Sequence, residues 1–152
     1  MERRAAEVLI AEIGTDMTVF PTDRHLASWA GICPGQNESA GKRKSAKTRK
    51  GSKWLRKTLT ESARAAARTK ETYLSERYRR LASRRGDKKA IVAICHEILT
   101  AAYHMLQTGE LYREQGADTL RHHDQDRIRR RAISQLEKLG LKVTLEQLPQ
   151  AA

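Results

Sequence analysis

Apolar residues along this chain recur at helical spacing and almost nowhere alternate. From Glu2 to Ile13, residues Ala6, Leu9, Ile10 and Ile13 fall at i, i+3, i+4 and i+7, one face of an amphipathic helix that Gly14 stops. Pro21 and Thr22 open a second, short helix. Thr22 is its N-cap, Asp23 faces the positive end of the dipole, and Gly31 closes it. Leu26, Trp29 and Ala30 form its apolar stripe, which makes Trp29 a core anchor. Ser52 caps a third helix with Trp54, Leu55, Leu59, Ala63, Ala66 and Ala67 along one side. A fourth, from about Thr72 to Arg85, turns Leu74, Tyr78, Leu81 and Ala82 inward and Arg77, Arg79, Arg80 and Arg84 outward. Gly86 and Asp87 break the chain before a fifth helix, Lys88 to Gln107, which is apolar over most of its circumference and so central to the bundle.

The carboxy-terminal end reads differently. Tyr112 to Gln125 is polar connecting sequence, and Arg127 to Leu139 is a basic helix with Ile128, Ala132, Leu136 and Leu139 on one face. Gly140 stops it, and Leu141 to Leu145 alternates as a short strand does. One strand makes no sheet alone, so this end either pairs with another chain or stays mobile. The fold class is therefore all-α: a compact bundle of about five helices with a long basic loop carrying a serine, then a basic helix and a short strand. Residues 1–118 form the folded domain and 119–152 a basic tail.

Between Gln36 and Ser52 no apolar period exists, and Gly35, Gly41 and Gly51 punctuate the segment, which predicts a surface loop rather than a helix or strand. Here the charge changes the picture. Residues 39–57 hold nine Lys and Arg (42, 43, 44, 47, 49, 50, 53, 56 and 57) and no acid. Residues 64–89 hold ten against three, whereas residues 1–38 hold three against six. The 152 residues carry +12 in all, and two central blocks hold more than the whole excess. A solvated basic face explains one such block. Two neighbouring blocks point to a polyanion, nucleic acid first.

Composition excludes several other classes. Aromatic residues make up 5%, so the core is built from Leu, Ile, Val and Ala. Cys33 and Cys95 form no CxxC pair and no signal-like segment opens the chain, which fits a reducing, cytoplasmic setting. The run Ala90 to Leu106 is broken by His96, Glu97, Thr100 and His104, so it is a buried helix and not a membrane span. His96 and His104 stand eight apart and His122 and His123 are neighbours, so none matches a helical metal pair. No metal site is expected in this chain.

Among the serines, Ser28 and Ser62 fall within helices and Ser52 serves as a cap, leaving Ser39 and Ser45 in the basic loop. On residues alone, Ser39 is an ordinary loop residue and the chain a non-catalytic, basic helical nucleic-acid-binding protein. The basic residues Lys42, Arg43, Lys44, Lys47, Arg49, Lys50, Lys53, Arg56 and Lys57 are the nucleic-acid contacts, with Ser45 as a phosphate hydrogen-bond donor. The start of the third helix, directly after Gly51, adds its dipole to their attraction for phosphate.

The segments Ala6 to Gly14, Phe20-Pro21, His25 to Gly31, Cys33-Pro-Gly35, Asn37 to Ser45, Thr48 to Gly51 and Trp54-Leu-Arg56, with Leu111-Tyr-Arg113 and Gly116-Ala-Asp118, carry a family resemblance. Together they resemble the carboxy-terminal serine domain of the bacterial insertion-sequence transposases that pair it with an amino-terminal RuvC-like Asp-Glu-Asp-Asp domain and are associated with bridge-RNA-guided recombination. The resemblance covers nearly the whole chain. It implies that Ser39 is a catalytic nucleophile forming a phosphoserine link to DNA, and that the partners are DNA, a guide (bridge) RNA, and further protomers or a complementing full-length transposase. It also implies a divalent metal, Mg2+, in the acidic domain. The family's Ile-Pro-Gly-Val-Gly-like hairpin and its acidic tetrad have no counterpart in this sequence, where Met1-Glu2 stand in their place. The chain is accordingly expected to be an amino-terminally truncated transposase, with residues 1–14 the remaining helix of a helix-hairpin-helix, inactive without the acidic domain.

Overall fold

A computed structural model describes residues 1–33, 37–45 and 47–145. The expected opening of the basic loop at Gly35 lies outside the described residues, as do Pro34 and Gly35 of the Cys33-Pro-Gly segment. The chain divides into two units, Met1–Ala117 and Asp118–Ala152.

In the first unit the elements are α1 (Arg3–Ile13), a 3-10 turn (Met17–Val19), α2 (Asp23–Trp29), β1 (Asn37–Ser39), β2 (Lys42–Ser45), α3 (Lys53–Arg68), α4 (Tyr73–Arg85) and α5 (Asp87–Thr108). Three of the helix starts, those of α2, α3 and α4, are fixed by side-chain caps. Thr22 accepts from the backbone N–H of His25, Ser52 from that of Leu55, and Thr72 from that of Ser75, each satisfying a donor the helix leaves open. Gly86, at φ +83°, ends α4 and immediately precedes α5, so Asp87 begins the fifth helix rather than breaking the chain.

The core sits where α5 packs against α2, α3 and α4, with α1 laid on α3. Leu26, Leu55, Leu59, Ile94 and Leu99 are fully enclosed, joined by Leu9, Ile13, Ile91, Cys95 and Tyr103. Leu, Ile and Ala dominate it, as a chain poor in aromatics requires. The Tyr103 hydroxyl donates to the Phe20 carbonyl at 3.0 Å and pins the segment before α2 to α5. Arg77 of α4 pairs with Glu97 of α5, which explains how an acid fits on the central helix.

Four expectations are corrected. The segment read as an irregular loop contains an antiparallel two-stranded hairpin, β1 with β2. Its strands are polar on both faces, so no apolar alternation announces them. Both tryptophans placed in the core stand out of it: Trp29 is 48% exposed and Trp54 64%. Ile10 of the first apolar stripe is also exposed.

In the second unit, α6 runs Asp118–Lys138, nine residues earlier than the apolar stripe beginning at Arg127 suggests. Gly140, at φ +79°, ends it, with the Leu141 N–H bonded to the Leu136 carbonyl. Residues 141–145 are irregular, not a strand. Ile128, Leu136 and Leu139 are exposed. No helix among the described residues is long and apolar enough to cross a membrane.

Candidate nucleic-acid interface

The hairpin presents Ser39 at the end of β1, directly opposite Lys42 at the start of β2. Ala40 and Gly41 form the turn, with φ +52° and +73°. Two successive positive φ values are what a two-residue type I′ turn needs, because that turn matches the twist of the flanking strands. Residues directly opposite in an antiparallel pair project to the same face, so the Ser39 hydroxyl and the Lys42 ammonium share one side of the hairpin. Both are exposed. Glu38, one residue earlier on the strand, projects to the other side.

Further along, Glu38 pairs with Arg43 and Asn37 with Ser45, so Lys44 is the extra residue of a bulge in β2. The side chains of Arg43 and Lys44 lie outside the described residues. The Ser45 Oγ accepts from the Lys47 N–H at 3.1 Å, which leaves its own proton for another acceptor. Lys47, Arg49, Lys50, Lys53 and Lys57 are exposed.

What holds the basic segment is not visible in its charges. Arg56 is half-buried and turns inward: its guanidinium donates to the Arg49 carbonyl at 2.9 Å and to the Thr48 hydroxyl at 3.2 Å. Gly31 and Gly51 bring the two ends of the segment's anchor together, since a Cβ on Gly51 would lie 2.1 Å from the Ala30 oxygen. The Ser52 hydroxyl accepts from Leu55 while donating to the Glu12 carboxylate at 2.7 Å, tying α1 to the start of α3. Glu12 stands forty residues away from Ser52 on the polar side of α1, and nothing in the local sequence marks it.

The start of α3 has no acidic residue in its first turn and carries the positive end of the helix dipole, with the exposed Lys50, Lys53 and Lys57 close by in sequence, while the Glu12 carboxylate on the Ser52 hydroxyl offsets part of that charge. Trp54 stands among them, with the Lys53 Nζ 6.0 Å from its ring centroid. By contrast, four arginines of α4 engage their own fold. Arg77 meets Glu97, Arg79 and Arg80 meet Glu76, and the Arg84 Nε donates to the Arg80 carbonyl.

Burial pushes the Cys33 thiol above its ordinary value, with Arg49 opposing and Asp23 reinforcing. The Cys95 thiol is pushed up to about 11 by burial in the core. Both are therefore protonated at neutral pH and neither is a ready nucleophile. His104 is exposed and edge-on to Tyr103, His96 is half-buried, and the side chains of His122 and His123 lie outside the described residues. Among the described residues no three His, Cys, Asp or Glu side chains gather as a metal site. The divalent ion that the resemblance implies belongs to the acidic domain, and the described donors of this chain do not gather to hold one.

No curated protein and no solved structure matches this chain. The model of one protein family, described as Transposase IS116/IS110/IS902 family, matches residues 1–79, from α1 through the hairpin and α3 into α4. That match takes in Ser39, the whole basic segment and its Gly31–Gly51 anchor, and covers more than half of the 152 residues. The chain belongs to the IS116/IS110/IS902 transposase family.

Proposed function

We propose that this transposase-family chain, whose role lies in DNA transposition, grips DNA phosphates with residues 42–57 and attacks one of them with the Ser39 hydroxyl. The observation that carries the reading is the pairing of Ser39 with Lys42 across the hairpin turn. A serine hydroxyl on an exposed tip reaches a phosphodiester without the chain having to open. A lysine beside it offers positive charge to the non-bridging oxygens as negative charge builds on them.

In the step itself, the Ser39 Oγ loses its proton to a base and forms a bond to phosphorus. The bond from phosphorus to one deoxyribose oxygen breaks, and that oxygen takes a proton and leaves as a hydroxyl. One phosphodiester becomes a phosphoserine diester, so the later reverse attack by a different strand's hydroxyl needs no outside energy source. Glu38 faces the opposite side of the strand and so is not the proton acceptor of this step.

A denaturing gel tests this directly. The chain is mixed with DNA carrying an insertion-element junction, alone and together with a longer family relative whose own serine is replaced by alanine. The expected result is a covalent adduct that Ser39→Ala abolishes while leaving DNA affinity nearly unchanged. An adduct of equal yield from the alanine variant would remove Ser39 from the chemistry. Salt-sensitive binding with no adduct in either mixture would leave the second reading, a non-catalytic nucleic-acid-binding protein.

A further inference from the structure

We propose that Trp54 is a stacking platform for an unpaired nucleobase at the edge of the basic segment. The inference rests on the nucleic-acid reading above and adds to it a site for a base where only phosphate contacts were expected. A tryptophan on an apolar helical stripe belongs in a core, yet this one is 64% exposed. Trp29, the other tryptophan, is a useful contrast, because its ring is engaged by Phe20 at a centroid distance of 5.6 Å. Trp54 has no aromatic neighbour of that kind among the described residues. Two cations stand near it: Lys53, with Nζ 6.0 Å from the ring centroid, and Lys57, one turn along the same helix.

That combination selects the partner. A protein surface docking on Trp54 would also have to cover two lysines, which interfaces disfavour at their centre. A strand of unpaired nucleotides offers a flat apolar ring for the indole and a phosphate for each ammonium, in alternation. In a duplex the base faces are already stacked, so a paired base has no face to offer except at an end. The indole is also held ready. Trp54 is the second residue of α3, and the backbone just before it is fixed by the Ser52 cap, the Glu12 bond, the Arg56 clamp and the Gly31–Gly51 contact. A platform whose backbone is already ordered loses little freedom when a base settles on it.

The test uses the full chain carrying Trp29→Phe, so that emission comes from Trp54. The probes are an oligothymidylate of about 12 nucleotides, its oligouridylate counterpart and a duplex of the same length. Stacking quenches indole emission with the single strands. Trp54→Ala is expected to weaken single-strand binding about tenfold, with Trp54→Phe keeping most of the affinity. Duplex affinity and the slope of affinity against salt are expected to stay the same, because no phosphate contact is lost. The strand bound more tightly, DNA or RNA, identifies the source of the base. Unquenched emission on saturation, or an equal loss on duplex and single strand, overturns the stacking site alone. If neither form binds even at low salt, the nucleic-acid reading falls with it. Thermal melts of both variants check the fold, which an exposed side chain should leave intact.

Discussion

Gly31 and Gly51 meet backbone to backbone: a Cβ on Gly51 would stand 2.1 Å from the Ala30 carbonyl oxygen, and one on Gly31 2.7 Å from that of Arg49. The end of α2 and the end of the basic segment are thereby pressed together at a distance only two glycines allow. Gly31 also holds φ at +68°, where a side chain adds strain of its own. Gly51→Ala has no flexible side chain to push aside and must move backbone. It is expected to cost about 3 kcal/mol and lower Tm by roughly 10 °C. Gly109→Ala, in the left-handed position after α5 with open space around it, is the control and should cost about 1 kcal/mol. Equal losses in the two melts would mean that the close approach contributes nothing.

Lys42 faces Ser39 across the turn, while Lys50 lies elsewhere along the same segment. If Lys42 stabilises charge on the phosphate under attack, its removal acts on rate more than on affinity. Lys42→Ala should slow formation of the covalent adduct by about 100-fold, in the range for losing one such group, and weaken DNA binding no more than Lys50→Ala does. The two variants are compared by adduct time courses at saturating DNA. Parallel time courses would reduce Lys42 to one more phosphate contact.

Arg56 and Lys57 are adjacent in sequence but differ in use. Arg56 spends its guanidinium on Thr48 and Arg49, whereas Lys57 is exposed. Arg56→Ala should therefore lower stability, by about 1 to 2 kcal/mol for two lost bonds at a half-exposed site, and weaken DNA binding as a consequence. Lys57→Ala should leave Tm unchanged and reduce the slope of log affinity against log salt by about one contact. Melting curves and salt titrations on both variants separate the roles.

These contrasts mark where sequence reading stops. The helices of the first unit were legible from their apolar stripes, and two of them also from their caps: Thr22 and Ser52 accept the bonds their positions imply. The hairpin was not legible, since Asn37–Ser39 and Lys42–Ser45 hold no β-branched or aromatic residue and the turn is Ala-Gly rather than Asn-Gly. The start of α6 hid for a related reason, because the residues from Asp118 to Asp126 are largely polar and display no period. Trp54 misled because it flanks the buried stripe of Leu55 and Leu59, and spacing alone does not separate a stripe from its border. Arg56 sits in a basic run whose charges look alike, and only the fold shows that it turns inward.

Ala40 is held at φ +52° in the turn that aims Ser39. A left-handed conformation costs an alanine about 1 to 2 kcal/mol, and asparagine relieves part of this through its local hydrogen bonding. Ala40→Asn supplies the residue pair that type I′ turns favour, so the hairpin should gain roughly 0.5 to 1 kcal/mol. Amide hydrogen exchange across β1 and β2 reads this locally and should slow by about threefold to fivefold, with α5 unaffected. Faster exchange would mean that the turn is shaped by something other than its own residues.

Cys95 gives the fold a signature at high pH. Burial raises its thiol from 9.0 to about 11, so the folded protein holds the proton more tightly than the unfolded chain does. Below 9.0 both states are protonated and the contribution to stability is fully present. Between 9.0 and about 11 the unfolded chain ionises first, and stability falls as pH rises, by an amount on the order of 2 kcal/mol across the window. Tyrosines and lysines titrate in the same range, so the measurement is a difference. Urea melts of the protein and of Cys95→Ala are compared at pH values below 9.0 and up to about 11, where all other groups are common to both. The variant starts lower because it leaves a small cavity, and the gap should narrow as the pH rises. A gap that stays constant would show that the thiol ionises as readily in the fold as out of it, and that Cys95 is in contact with water.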